Sequence, residues 1–360
     1  MTRVLMTLDA VGGVWRYALD LAQGLRAEGL EIAFAGLGPA PSPAQAEAAR
    51  RIGTLDWGEA PLDWLAKGPE ALAPVGPWLS ALAERRGADL VHLNYPSQGA
   101  ELEVAMPVVA ASHSCLATWF AAVRGSAVPD DMAWQAELTG AGLRAADAAL
   151  VPSAAHAKAM GAVYEGLPRI AVVHNASLAP EGGGTGEDYV FAAARWWDAG
   201  KNAAVLDAAA EDSLWPVTMA GATEGPDGSH AAIHYAGAPG PLEHGQAMGL
   251  LRQAGLFVSP SLYEPFGLAA LEAARAQRPL LLADIPTYRE LWDGAAAFFD
   301  PVDPPALRGA INALAADAPR RAALGRAARE RARRYSLQAQ VAAVLDLYRT
   351  LGVRAGQAAA

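Results

Sequence analysis

Short apolar runs alternate along this 360-residue chain with longer amphipathic stretches, and that alternation constrains the fold more than any other feature. Apolar runs bounded by turn residues suit buried strands, and a helix-length stretch between two of them makes the strands run parallel. Six runs come first: RVLMTL (3–8), EIAFAG (31–36), DLVHLN (89–94), MPVVAAS (106–112), AALVPS (148–153) and IAVVHN (170–175). Six more follow: YVFAAA (189–194), PVTMAG (216–221), AIHYAG (232–237), LFVSPS (256–261), PLLLAD (279–284) and AAFFD (296–300). Between the two series, PEGGGTGED (180–188) is rich in glycine and acidic residues and reads as a linker. The expected class is α/β with two parallel-sheet domains. The first covers residues 1–179 and the second 189–334, with a C-terminal helix over 335–360 that could pack back on the first.

Two domains agree with the length, at about 150 residues per domain. Hydrophobic residues make up 52% of the chain, enough to build two cores without metal or disulfide staples. The net charge of −10 argues against nucleic acid as a partner and leaves membrane contact at most peripheral. A single cysteine, Cys115, cannot form an intramolecular disulfide, which fits a reducing compartment and makes the cytoplasm the expected location. No apolar stretch approaches the roughly 20 residues needed to cross a bilayer, and the N-terminal run is too short for a signal-peptide core. The arginines of the last segment (Arg320, Arg321, Arg326, Arg329, Arg331, Arg333, Arg334) read as a solvated helix face.

Ligands of open parallel sheets bind beyond the carboxyl ends of the strands, so the residues that matter stand just after the apolar runs. Gly12 and Gly13 follow the first run, where they let a ligand approach the backbone and helix N–H groups; a tight turn would also need them. The lone pair lacks the G-x-G-x-x-G spacing of a dinucleotide site. In FAAARWWDAGKN, Arg195 and Lys201 flank the start of a helix and could converge on a diphosphate, while Trp196 and Trp197 read as packing. In VSPSLYEPFGLAALEAA, Glu264 precedes a helix start exposed by Pro265 and Gly267, and Glu272 follows eight residues later. Two carboxylates so spaced serve different ligand groups. A glutamate compensating the helix dipole would explain Glu264 and leave Glu272 without a role.

The segment EPFGLAALEA resembles the E-x7-E element of retaining family 4 glycosyltransferases, also called group 1, of the GT-B fold. The resemblance extends over the ordered set of Gly12-Gly13, His113 in ASHS, Arg195 with GKN, the E-x7-E element, ADIPTYRELWDGAAAFFDP and RYSLQ. It implies two Rossmann-like domains facing across a cleft, the first for the acceptor and the second for a nucleotide-sugar donor. Arg195 and Lys201 would neutralise the diphosphate. Glu264 and the amides of Phe266, Gly267 and Leu268 would hold the donor sugar, and Glu272 the ribose. Gly12 and Gly13 would lie near the diphosphate or acceptor, and His113 beside the transferred sugar. Three positions depart from the family pattern: His92-Leu93-Asn94 in place of His-x-His, Gln277-Arg278 in place of a glycine, and His174-Asn175-Ala176 in place of Pro-Asn-Gly.

The reaction implied is transfer of a sugar, from a UDP- or GDP-sugar as the expected donor, to a hydroxyl of a glycan, lipid-linked or small-molecule acceptor with retention. No D-x-D occurs in the chain, so no metal is expected and cations and helix amides would stabilise the leaving diphosphate. With no second carboxylate placed to attack the sugar, front-face departure without a covalent intermediate is favoured. Base contacts are expected around Tyr235 to Ala238. The tryptophans Trp57, Trp64, Trp78, Trp119 and Trp134 read as packing before acceptor stacking. A nucleotide-sugar epimerase and a non-catalytic sugar-nucleotide binder are the rival readings, distinguished by donor conversion without acceptor and by binding without turnover; an NAD oxidoreductase lacks its glycine fingerprint.

Overall fold

The computed structural model describes residues 1–182, 186–226 and 228–353. Residues 183–185 of the expected linker and 354–360 of the expected C-terminal helix lie outside the described residues. The chain forms two compact units, one of residues 1–175 with 337–360 and the other of residues 176–336.

In unit 1 the elements run β1 (Arg3–Leu8), α1 (Gly13–Ala27), β2 (Glu31–Gly36), α2 (Pro43–Arg50), β3 (Thr54–Trp57), α3 (Val75–Arg86), β4 (Leu90–Leu93), β5 (Val108–Ala111), α4 (Leu116–Val123), α5 (Ala133–Ala145), β6 (Ala148–Val151), α6 (Ala154–Val163) and β7 (Arg169–Val172). Unit 2 holds β8 (Glu187–Ala193), α7 (Ala203–Ala210), β9 (Val217–Ala220), β10 (Gly237–Gly240), α8 (His244–Gln253), β11 (Ala254–Ser259), α9 (Leu268–Arg275), β12 (Leu280–Ala283), α10 (Pro286–Trp292), β13 (Ala297–Phe299), α11 (Pro304–Ala316) and α12 (Ala318–Ala332). The last helix, α13 (Leu337–Thr350), returns to unit 1.

Both sheets are parallel throughout. Unit 1 has the order β3-β2-β1-β4-β5-β6-β7 and unit 2 the order β10-β9-β8-β11-β12-β13. Each order reverses once, at β1/β4 in unit 1 and at β8/β11 in unit 2, and these are the switch points beyond which ligands of such sheets bind. The central strands are apolar on both faces because helices cover both. In β1, Val4, Met6 and Leu8 enter one core with α1 and α13, while Leu5 enters the other with α3 and α5. In unit 2, one cluster runs from Val190 and Phe191 through Leu256, Leu271 and Leu281 to Tyr335.

Helix α13 joins unit 1 through its apolar stripe: Val341, Val344, Leu345 and Tyr348 are buried with Tyr17, Leu21 and Leu25 of α1. A Cβ on Gly24 would stand 2.4 Å from Val341 Cγ2, so the helices approach at a position that has no side chain. The unit boundary falls at Asn175/Ala176, ahead of the expected linker, and β8 starts at Glu187, inside it. Two other expectations are corrected. Strand β3 was not expected, being a four-residue edge strand with no fully buried side chain. The run AIHYAG (232–237) is a strand only at its last residue: the carboxylate of Asp207 on α7 accepts the N–H groups of His234, Tyr235 and Ala236, each at 2.9 Å, and the strand begins at Gly237 and runs to Gly240. The C-terminal arginines are also not simply a solvated face. Arg321 donates to the Leu314 and Ala315 carbonyls at the end of α11, and Arg331 to those of Leu291 and Asp293 at the end of α10.

Candidate active site

At the switch point of unit 2, two loops are tied together by their backbones. The loop after β8 carries a short 3-10 turn, Ala199–Lys201, whose Gly200 carbonyl accepts the N–H groups of Leu262 (2.9 Å) and Tyr263 (3.4 Å) from the loop after β11. Asn202 closes the turn in the left-handed region (φ 59), a conformation asparagine tolerates better than most residues. Its side-chain amide donates to the carbonyls of Pro260 (3.0 Å) and Pro301 (2.8 Å), pinning the turn to the ends of two strands. This framework brings Lys201 Nζ within 2.7 Å of Glu264 Oε2, both side chains largely shielded from solvent. Asp198 caps the same turn, accepting the N–H of Gly200 at 2.8 Å.

Glu264 leads into α9. Gly267 is the N-cap with φ 89, and neither a capping side chain nor an acidic residue occupies the first turn. The start of α9 thus has no side-chain cap, and a helix start of this kind favours an anion or a hydroxyl oxygen. A Cβ at Gly267 would meet Tyr288 Cε1 at 2.8 Å and Glu264 Cγ at 3.4 Å. The Phe266 ring is 3% exposed and lies edge-on to Tyr335, so only the backbone of Phe266 can serve a ligand. Glu272 lies further along α9 and is half-buried. Arg195 stands apart from the Lys201/Glu264 pair. Its guanidinium lies over the Trp197 ring at 5.5 Å and 3.9 Å from Asp198, on an exposed side chain. Trp196 is buried and donates its indole N–H to Ala220.

At the switch point of unit 1, the residue after β1 organises the glycine turn. Asp9, 1% exposed, accepts the N–H groups of Val11 (2.6 Å) and Gly12 (3.1 Å), and its other oxygen accepts the Tyr95 hydroxyl at 2.7 Å. Burial and the neighbouring Asp9 carboxylate hold the Tyr95 phenol well above its ordinary range. Gly12 is the N-cap of α1, and α1 also begins without a capping side chain or acidic first turn. A Cβ on Gly12 or Gly13 meets nothing within 4 Å, so the protein itself imposes no steric need for glycine there.

His113 follows β5. Its Nε2 lies 2.9 Å from Asn94 Oδ1, and the Tyr17 ring packs edge-on against it with centroids 4.3 Å apart. Burial, then His92 and His156, lower its pKa to about 3, so the ring is neutral at physiological pH. His92, where the family pattern has its first histidine, is fully buried, and its Nδ1 is 2.7 Å from the Tyr348 hydroxyl on α13. His92 is therefore part of the core of unit 1.

Of the expected residues, the structure joins Lys201, Glu264 and the start of α9 in unit 2, and sets Gly12, Gly13 and His113 around the switch point of unit 1. Asn202, Asn94, Asp9 and Asp207 support these groups and were not assigned roles from the sequence; Asn202 and Asn94 lay within motifs already marked. Of the tryptophans, Trp57 donates to the Gly38 carbonyl and Trp64 is 39% exposed. Two cavities lie elsewhere in unit 1. One of about 690 Å³ at the amino ends of β1–β3 is lined by Arg3, Arg26, Arg50, Arg51, Arg85 and Arg86, and the C-terminal ends of α1–α3 set negative partial charge among those arginines. The other, about 710 Å³, lies among α4, α5 and α6. Among the described residues no cluster of three His, Cys, Asp or Glu side chains is placed to hold a metal ion, and no helix is long and apolar enough to cross a membrane.

Residues 11–176 match the model for Glycosyltransferase Family 4 and residues 235–331 that for Glycosyl transferases group 1. The chain belongs to the family 4, group 1 glycosyltransferases, and its two parallel-sheet units have the GT-B fold. In fold it is similar to sucrose-phosphate synthase from Thermosynechococcus elongatus (TM-score 0.79, 17% identity, 98% of this chain and 99% of that one). It is likewise similar to HepE from Anabaena, solved in complex with UDP and glucose (TM-score 0.72, 15% identity, 97% of this chain and 100% of that one). In sequence it is 52% identical over 46 residues to glycogen synthase of Mycobacterium tuberculosis, 13% of this chain and 11% of that protein. It is 36% identical over 110 residues to D-inositol 3-phosphate glycosyltransferase of Xylanimonas cellulosilytica, 30% of this chain and 26% of that protein. The chain thus aligns with about a quarter or less of either relative's length.

Proposed function

We propose that this chain is a retaining glycosyltransferase that moves a sugar from a nucleotide-diphosphate donor, a UDP- or GDP-sugar, to an acceptor hydroxyl, without a metal and in the reducing cytoplasm. The observation that carries the reading is the Lys201/Glu264 pair at 2.7 Å, set at the switch point of unit 2 beside the uncapped start of α9. That group offers a cation, a carboxylate acceptor and the amides of a helix start within one framework, the set a sugar diphosphate requires. HepE, of similar fold, was solved with UDP-glucose, which supports a uridine or related donor.

In this reading Lys201 and Arg195 meet the negative charge that develops on the leaving diphosphate, and the amides of Phe266, Gly267 and Leu268 with Glu264 orient the donor sugar. Glu272 accepts from the ribose hydroxyls, and the Asp207-held loop at His234–Ala236 shapes the base contact. Gly12 and Gly13 leave the start of α1 open to the diphosphate or acceptor, and His113 lies beside the transferred sugar. Glu264 is engaged by Lys201 rather than poised as a nucleophile, which supports front-face transfer without a glycosyl-enzyme intermediate. The buried thiol of Cys115 suits a compartment where thiols stay reduced.

A thermal-shift panel of UDP, GDP, ADP and their sugar conjugates, followed by transfer assays with the stabilising donor, tests the reading. Lys201→Ala and Glu264→Ala should each lower transfer by a factor on the order of 10² or more with the fold retained. Wild-type rates in either variant remove that residue from the site. Transfer should continue undiminished after exhaustive chelation with EDTA; loss restored by Mg²⁺ or Mn²⁺ excludes the metal-free mechanism. Donor conversion without any acceptor would point to an epimerase instead.

A further inference from the structure

We propose that Asn94 is a positioning residue that holds His113 as its neutral Nε2–H tautomer and leaves Nδ1 as the one open ring nitrogen, an acceptor for a substrate hydroxyl. The proposal rests on the reading above only in placing His113 at the active site; the tautomer follows from hydrogen-bond geometry alone.

Asn94 is 1% exposed and follows β4. Its backbone N–H donates to Thr7 Oγ1 at 2.7 Å, and its side-chain nitrogen donates to the Thr7 carbonyl at 2.6 Å. A backbone carbonyl can only accept, so the group facing Thr7 must be the amide NH₂. The amide oxygen is thereby turned to His113, and because that oxygen also can only accept, His113 Nε2 must carry the hydrogen. In a neutral ring Nδ1 is then unprotonated. Among the described residues Nδ1 has no hydrogen-bond partner, and it is not one of the buried polar atoms left unpaired, so it reaches solvent. The ring cannot swing to exchange the two nitrogens without breaking the Asn94 bond and leaving the edge of Tyr17.

The titratable groups facing this ring are Tyr17 on α1, His92 on β4 and His156 on α6, and none is charged at neutral pH. Nothing in the surroundings therefore draws a second proton onto the imidazole. Asparagine in place of the family's second histidine adds a further property. Its amide does not titrate, so the tautomer is fixed across the working pH range. A neutral acceptor orients a sugar hydroxyl without bringing a charge of its own to it.

The first test reads the tautomer directly. Long-range ¹H–¹⁵N spectra of the full chain at pH 7, with His113 assigned from the resonance missing in His113→Asn, should show a neutral Nε2–H ring that persists to pH 5. A Nδ1–H ring, or an imidazolium at pH 6, overturns the proposal without reference to activity. The second test is Asn94→Asp, whose carboxylate should draw a second proton onto His113. Transfer should fall at least tenfold at pH 6 and recover as the pH rises past the raised histidine pKa, whereas an equal loss at every pH would assign Asn94 a packing role only. The third compares His113→Asn, which keeps an acceptor near the Nδ1 position, with His113→Gln, which reaches toward Nε2. The asparagine variant should retain at least tenfold more kcat, and equal rates overturn the acceptor role. Wild-type transfer by His113→Ala would remove His113 from the site, and the acceptor role with it, while the ring tautomer would stand as measured.

Discussion

Gly267 shows how one residue can serve backbone geometry and chemistry together. Its φ of 89 lies where a side chain is strained, and a Cβ there would press on Tyr288, whose hydroxyl is itself engaged with Ser259 at 2.6 Å. Gly267→Ala should therefore cost about 1–3 kcal/mol of stability, read as a lower midpoint in denaturant, and should weaken donor binding by displacing the first amides of α9. An alanine variant with unchanged midpoint and unchanged donor affinity would show that the turn relaxes freely. The glycine was legible beforehand because a proline and a glycine next to a carboxylate mark a helix start. The partnership of Lys201 with Glu264 was not legible. It depends on the Gly200 carbonyl bridging to Leu262 and Tyr263 of a loop far along the chain, and no local pattern encodes a tie of that span. Gln277 is the converse case: it occupies the left-handed region (φ 58) where the family usually has glycine, and its amide oxygen accepts from Arg329.

At the scale of elements, the central strands that sequence periodicity located are buried on both faces, where a run of apolar residues is the whole signal, and the edge strands β7 and β13 carry such a run as well. It failed at β3 and in the run before β10. Strand β3 is short and half-buried, so its four residues carry no run to detect. AIHYAG has the composition of a strand but loses its N–H groups to Asp207, and a single buried carboxylate on α7 overrides the propensity of six residues. That carboxylate carries a specific expectation. Asp207→Ala leaves three backbone donors without their acceptor and should cost about 2 kcal/mol, partly relieved where water reaches the loop. If the loop shapes the base contact, the same variant should raise the KM for donor several-fold with little change in kcat. An unchanged KM would separate the loop from the donor site.

At the scale of the whole molecule, the two units differ in how they should respond to acid. Unit 1 holds His92, His113 and His156 in their neutral forms, with pKa values lowered to about 4, 3 and 4. A lowered folded-state pKa means that the unfolded chain binds protons first, starting near the ordinary histidine value of 6.5, so the stability of the folded state falls as the pH drops from there toward 4. Each histidine contributes up to about 1.4 kcal/mol per pH unit over that window. Amide hydrogen exchange should therefore show unit 1 losing protection between pH 6.5 and 4 ahead of unit 2. Simultaneous loss in both would mean that the histidines are not what limits acid stability.

The return of α13 to unit 1 also bears on how the protein is made. The core that Tyr17, Leu21 and Leu25 enter is incomplete until Val341, Val344 and Tyr348 have been synthesised, and all of unit 2 lies between them in the chain. At translation rates of about 5–20 residues per second, the apolar stripe of α1 waits roughly 15 to 65 seconds for its cover. Unit 2, continuous in sequence, can fold as it leaves the ribosome; unit 1 closes only when the last helix arrives. The first helix of the nascent chain thus keeps an apolar stripe uncovered until α13 has emerged, and docking of that helix is the event that seals the first domain.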